Sequence, residues 1–161
     1  MDKNDIRRLL RQKAVPFDMF DHAAVYTIEE AAALNLPEPE AGAKNLFLRD
    51  DKKRNYYLLT VRDDRPVDLK AFQQLIGSRR LSFASEEDLM QLMGLTRGSV
   101  TPFGLLNDTE NRVRFYLDDW YIGRRISVHP NENTATLFLP ADAMMEIIRQ
   151  SGTHGEYISL S

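Results

Sequence analysis

The sequence predicts an α+β fold, a mixed and largely antiparallel sheet with helices around it, on three observations. Strand-like and helix-like segments follow one another irregularly, without the steady strand–helix alternation of a doubly wound fold. Two apolar runs, residues 45–49 and 56–61, flank a polar stretch at 50–55 in the manner of a hairpin. The chain has 161 residues, 43% of them hydrophobic. That is enough to bury one core, so residues 1–161 are expected to form a single domain.

Each element has its own local reason. Asn4 or Asp5 can cap a first helix that carries Ile6, Leu9 and Leu10 on one face and stops before Val15-Pro16. Residues 17–21 read as a short strand. Thr27-Ile28-Glu29-Glu30 is a capping box ahead of an alanine-rich run, which predicts a second helix over 28–34. The hairpin strands are apolar on both sides and therefore central. Asp68 can cap a short helix bearing Leu69, Phe72 and Leu75, and residues 81–83 form a strand. Ser85 and the three acids after it open a helix that ends at Gly94. Strands are expected at 113–117 and 125–128, then a turn at 130–133 and a strand over 134–139. Pro140 opens a last helix with Met144, Met145, Ile147 and Ile148 as core at helical spacing, and Gly152 ends it. Residues 157–160 close the chain as a strand.

Composition excludes several functions. With no cysteine there is no disulfide framework, no thiolate zinc site and no cysteine nucleophile. No apolar run approaches the roughly 18 residues of a membrane span. The first eleven residues are charged and lack the apolar core of a secretion signal, so a cytoplasmic location is expected. A net charge of −3 argues against a protein that coats nucleic acid, DNA included, though not against a small basic pocket.

The chain contains no glycine-rich nucleotide loop, no HExxH and no GxSxG. His22, His129 and His154 have no metal-ligand spacing, and no metal site is expected. Three segments join loop chemistry to reactive side chains. Lys44-Asn45 opens an apolar strand, where a lysine is either a solvated guard against edge pairing or a fixed ammonium for negative charge. Gly98-Ser99-Val100-Thr101-Pro102 holds three consecutive N–H groups between a glycine that permits positive φ and a proline that fixes the exit. Such a segment is a plain turn or an anion-binding nest. His129 leaves a strand at Pro130, as a structural residue or a catalyst. The basic pairs Arg79-Arg80 and Arg124-Arg125, the run Lys52-Lys53-Arg54 and the pair Asp118-Asp119 read as solvated turns or strand ends.

The order and wording of these segments resemble one family. Lys44-Asn45-Leu46-Phe47-Leu48-Arg49-Asp50 is followed by Asn55-Tyr56-Tyr57 with Leu59-Thr60-Val61. Then come Gly98 to Pro102, and His129-Pro130 with Asn133-Thr134-Ala135-Thr136. This is the pattern of the YbaK-like family, the prolyl-tRNA synthetase-associated editing domains. His22 with Val25-Tyr26-Thr27-Ile28-Glu29-Glu30 is similar to its N-terminal block, although Ala23 stands where proline commonly follows the histidine. The similarity runs from about Ile6 to Leu160 and is nearest to the free-standing branch that removes alanine from proline tRNA.

The resemblance implies a sheet curled into a partial barrel with helices outside, and hydrolysis of an aminoacyl ester at the 3′ end of tRNA. It implies no cofactor. Lys44 matches the family's essential lysine, with Asn45 beside it. Gly98 and Pro102 match the ends of a loop whose amides, here Ser99, Val100 and Thr101, hold the ester carbonyl. His129 matches a histidine lining the pocket. Phe20, Val25 and Tyr26 are candidate pocket walls from the N-terminal block, and each can equally be core. The implied partner is the aminoacylated acceptor end of tRNA(Pro), with transient contact to prolyl-tRNA synthetase and none to membranes. An activated ester needs positioned water and a stabilised oxyanion more than a strong nucleophile. Alanine is smaller than proline, so a synthetase cannot exclude it sterically, and a second, smaller pocket supplies the missing discrimination. Cysteine or serine on the same scaffold, a non-catalytic acceptor-end or synthetase-binding module, and a small-ester hydrolase are the competing readings.

Overall fold

The computed structural model describes residues 1–160. α1 (Lys3–Gln12) starts two to three residues earlier than expected. Its cap is Asp2, whose side chain accepts from the Asp5 N–H while the Asp5 carboxylate accepts from the Asp2 N–H. Asp5 is thus the third residue of a capping box, not the cap itself. Ile6 and Leu10 are fully buried on its inner face. After β1 (Asp18–Asp21), Thr27 caps α2 (Ile28–Ala33) as its sequence requires.

β2 (Ala43–Asp50) and β3 (Tyr56–Arg62) form the antiparallel hairpin, with Asn45 opposite Thr60 and Phe47 opposite Leu58. Buried Asp50 closes its turn by accepting hydrogen bonds from the N–H of Arg54 and the side chain of Asn55, at 2.9 and 2.8 Å. Asp68 caps α3 (Leu69–Ile76), and Gly77 ends it in the left-handed conformation, φ 68°, that glycine adopts without steric cost. β4 (Leu81–Phe83) leads into α4 (Glu86–Met93), bounded by Ser85 and Gly94. Two 3-10 turns follow, Arg97–Ser99 and Pro102–Asn107. The remaining elements are β5 (Val113–Asp118), β6 (Arg125–Val128), β7 (Ala135–Pro140), α5 (Ala141–Gln150) and β8 (Gly155–Ile158). β8 begins two residues before the expected strand because it pairs parallel with β5, Phe115 against Gly155.

Five strands form one sheet in the order β4-β2-β3-β5-β8, and three form another, β1-β7-β6. Pairing is antiparallel except at β3–β5 and β5–β8, which gives the mixed, largely antiparallel α+β architecture. The sheets do not close into a barrel. Among the described residues a single isolated parallel bridge, Gly42 to Ser127, joins them. Phe47, Leu58 and Phe115 on one face of the large sheet pack with Ile6, Met93 and Met144 of the helices and with Ile126, Leu137 and Leu139 of the small sheet. Its other face, with Leu48, Leu59 and Val61, packs on Phe72 of α3. Among the described residues no helix is long and apolar enough to cross a membrane.

Candidate functional site

The site is built where the two sheets meet. Asn45 sits on the main-core face of β2 and is held from two directions. Its Oδ1 accepts a hydrogen bond from the Thr60 hydroxyl at 2.5 Å, and its Nδ2 donates to the Val100 carbonyl at 3.2 Å. Asparagine suits this position because it offers a donor and an acceptor together. It ties the 98–102 loop to the large sheet. The buried Thr101 hydroxyl ties the same loop to the small sheet by donating to the His129 carbonyl at 2.6 Å. Buried Pro102 then opens a 3-10 turn, where its missing N–H costs nothing.

Within the loop the three N–H groups are not equivalent. Ser99 N–H is engaged by the Thr96 carbonyl at 3.0 Å, inside the first 3-10 turn. Those of Val100 and Thr101 have no backbone acceptor among the described residues. Gly98 does not use positive φ. A Cβ there would stand 3.5 Å from Asn133 Nδ2, an ordinary contact. Asn133 in turn donates to the Val25 carbonyl at 3.4 Å, linking the loop to the connection between β1 and α2.

Lys44 and Asn45 are consecutive strand residues and therefore project to opposite faces. Lys44 is paired with Val61, whose side chain belongs to the second core. The Gly42–Ser127 bridge adds a second coordinate. Lys44 and His129 each stand two residues past that contact between the sheets. Among the described residues Lys44 has no ion-pair partner within 4.0 Å.

His129 directly follows Val128, the last β6 residue paired with β7, and Phe20 of β1 lies opposite Thr136 of β7. Phe20 and Thr136 thus share a row on the outward face of the small sheet, which the alternation of β6 extends to His129, and Lys44 stands on β2 two residues past the bridge between the sheets. Phe20 is 36% exposed and packs edge-on against buried Phe138 at 5.7 Å between ring centroids. His129 Nδ1 donates to the Ala135 carbonyl at 3.2 Å, which leaves Nε2 as an acceptor in the neutral ring. Burial pushes its pKa below the ordinary histidine value. The bond to Ala135 opposes that shift, and nearby His22 adds to it.

Val25, Tyr26 and Gly98 line a separate cleft of about 870 Å³ against α4, with Tyr26 77% exposed. Asn45 and Val100 line an adjoining hollow of about 500 Å³. Arg97 and Glu86, ion-paired at 3.4 Å, border both. Asn45, Ser99, Val100, Thr101, Pro102 and the His129 carbonyl are therefore connected through one loop, whereas the side chains of Lys44, His129 and Phe20 point away from the main core. Val25 and Tyr26 flank it.

Two residues that the sequence reading left without a role belong to the row. His22 Nδ1 bonds the Ala23 carbonyl at 2.8 Å, and its Nε2 bonds the Thr136 hydroxyl at 2.8 Å. Both stand in the motif blocks quoted above, but only the β1–β7 pairing brings them together.

The model of the aminoacyl-tRNA editing domain matches residues 22–147, from His22 to the inner face of α5. The chain belongs to the aminoacyl-tRNA editing domain family. It is 40% identical over 152 residues to the prolyl-tRNA editing protein ProX of Acetoanaerobium sticklandii, covering 94% of this chain and 93% of the relative. It is 32% identical to mouse prolyl-tRNA synthetase associated domain-containing protein 1, covering 94% and 95%. A crystal structure described as a candidate trans-editing enzyme for prolyl tRNA synthetase superposes with a TM-score of 0.72. It shares 20% identity and covers 99% of this chain and 97% of the other, which shows the common editing-domain fold.

Proposed function

We propose that this editing-domain protein is a free-standing aminoacyl-tRNA deacylase that hydrolyses alanine from tRNA(Pro). The observation that carries the reading is the convergence on one loop: Asn45 holds it at Val100, Thr101 holds it at His129, and Val100 and Thr101 keep unengaged N–H groups. Water attacks the ester carbonyl carbon, the carbonyl oxygen becomes an oxyanion, and the bond to the ribose oxygen breaks. The ribose oxygen takes the proton, and alanine and tRNA separate. Loop amides are suited to the oxyanion, because fixed backbone dipoles need no reorganisation as charge develops. Lys44 adds positive charge from the open face. His129, an acceptor at Nε2, orients the water or a ribose hydroxyl.

The substrate is the charged acceptor end of tRNA(Pro), met in the cytoplasm during transient contact with prolyl-tRNA synthetase. The names of the relatives above support the link to proline tRNA. The test is release of free amino acid from alanyl-, seryl- and cysteinyl-tRNA(Pro) under single-turnover conditions. Alanine is expected to leave fastest. Faster release of serine or cysteine reassigns the specificity, and no release from any of the three by folded protein overturns the enzymatic reading.

A further inference from the structure

We propose that Thr136 Oγ1, its own proton held by His22, accepts a hydrogen bond from the α-ammonium of the substrate's aminoacyl group. This rests on the deacylase reading and adds to it the group that distinguishes an amino acid ester from other esters.

The argument begins with the imidazole of His22. Its Nδ1 lies 2.8 Å from the Ala23 carbonyl oxygen, which can only accept, so Nδ1 carries the proton. In the neutral ring Nε2 is then an acceptor, and the Thr136 hydroxyl at 2.8 Å must be its donor. A threonine hydroxyl has one proton. With that proton committed to His22, Oγ1 presents only lone pairs to anything else that approaches.

Those lone pairs stand in the right place. Thr136 lies directly opposite Phe20 and next to Ala135, whose carbonyl holds His129 Nδ1, and it is only partly buried. A cationic ammonium beside the scissile ester needs an acceptor there. Lys44 is a donor only and repels it. The carboxylates gathered at Arg125, Asp18 and Glu38, are already paired with it at 2.8 and 3.2 Å. His22 thus acts as a positioning residue: it touches no substrate and fixes the polarity of the hydroxyl that does.

The experiment compares alanyl-tRNA(Pro) with lactyl-tRNA(Pro), in which a hydroxyl replaces the ammonium, each rate being normalised to that ester's spontaneous hydrolysis. Wild-type protein is expected to prefer the alanyl ester. Thr136→Val should slow the alanyl ester about 10- to 100-fold, the range for a hydrogen bond to a charged group, and leave the lactyl ester nearly unchanged. Thr136→Ser should restore the preference. His22→Ala frees the hydroxyl proton to donate to the lactyl oxygen, so the preference should fall part of the way. Loss of both esters in equal proportion in Thr136→Val, or an unchanged preference in His22→Ala, would reduce this contact to a pin between strands and overturn the proposal. If Thr136→Val does not fold by thermal melt, His22→Ala decides alone. Failure of wild-type protein on both esters would instead remove the deacylase reading beneath it.

Discussion

The five-stranded sheet is covered on both faces, whereas the three-stranded sheet is covered on one and leaves the other partly open. On the large sheet Leu58, Leu59, Phe115 and Leu117 are all fully buried, and the middle strand gives the candidate site only Thr60, which holds Asn45. On the small sheet Ile126, Leu137 and Leu139 face the core, and the alternate positions Ser127, Thr136 and Phe20 face outward. Period-two alternation thus divides one strand between packing and function. The large sheet contributes to the site only at its margin, where β2 begins at Lys44 and Asn45. Stability and catalysis should therefore separate by sheet.

The largest expected effect tests the frame. Phe115→Ala empties a fully buried site on β5, a strand paired on both sides, and should cost about 3–5 kcal/mol of stability. A urea midpoint measures it. Turnover per folded molecule should stay at the wild-type level, and a parallel fall in turnover would show that the two sheets are not separable. Lys44→Ala is the reverse case. Removing a charge that stabilises an oxyanion lowers single-turnover deacylation roughly 100-fold or more. Stability should move by no more than about 0.5 kcal/mol, because Lys44 makes no ion pair with the described residues. Full activity in Lys44→Ala would place the catalytic charge elsewhere on the row.

What could be read in advance follows the same division. The hairpin and the caps at Thr27, Asp68 and Ser85 were legible because each depends on residues a few positions apart. The first cap was misplaced because Asp5 resembles a cap while serving as the reciprocal partner of Asp2. β8 was displaced because a parallel edge strand takes its register from β5, about forty residues away, and not from its own pattern. In the site, the Lys44-Asn45 pair, the loop and His129 were visible as motifs. The meeting of β2 with β6 was not, since it depends on the Gly42–Ser127 bridge. The contact between His22 and Thr136 spans 114 residues and exists only once β1 lies beside β7.

The smallest expected effect is a slope in the histidine range of pH, carried by His129 at the end of β6. Burial holds the folded-state pKa of His129 below the ordinary value of about 6.5, while the unfolded chain has the ordinary value. Between the two the unfolded state binds more protons, so stability falls as pH drops through the unfolded value and is constant above it. In activity, the acid limb of kcat/KM should lie below 6.5, since neutral His129 with Nε2 as acceptor persists to lower pH than a solvated histidine. His129→Gln keeps an acceptor without a titration, so the difference between wild type and variant isolates this group from His22 and His154. The variant should lose part of the acid dependence of both stability and rate. A limb at the ordinary histidine value, unchanged in His129→Gln, would mean that the acid limb belongs to another group, and that this half-buried imidazole packs the end of β6 without taking part in hydrolysis.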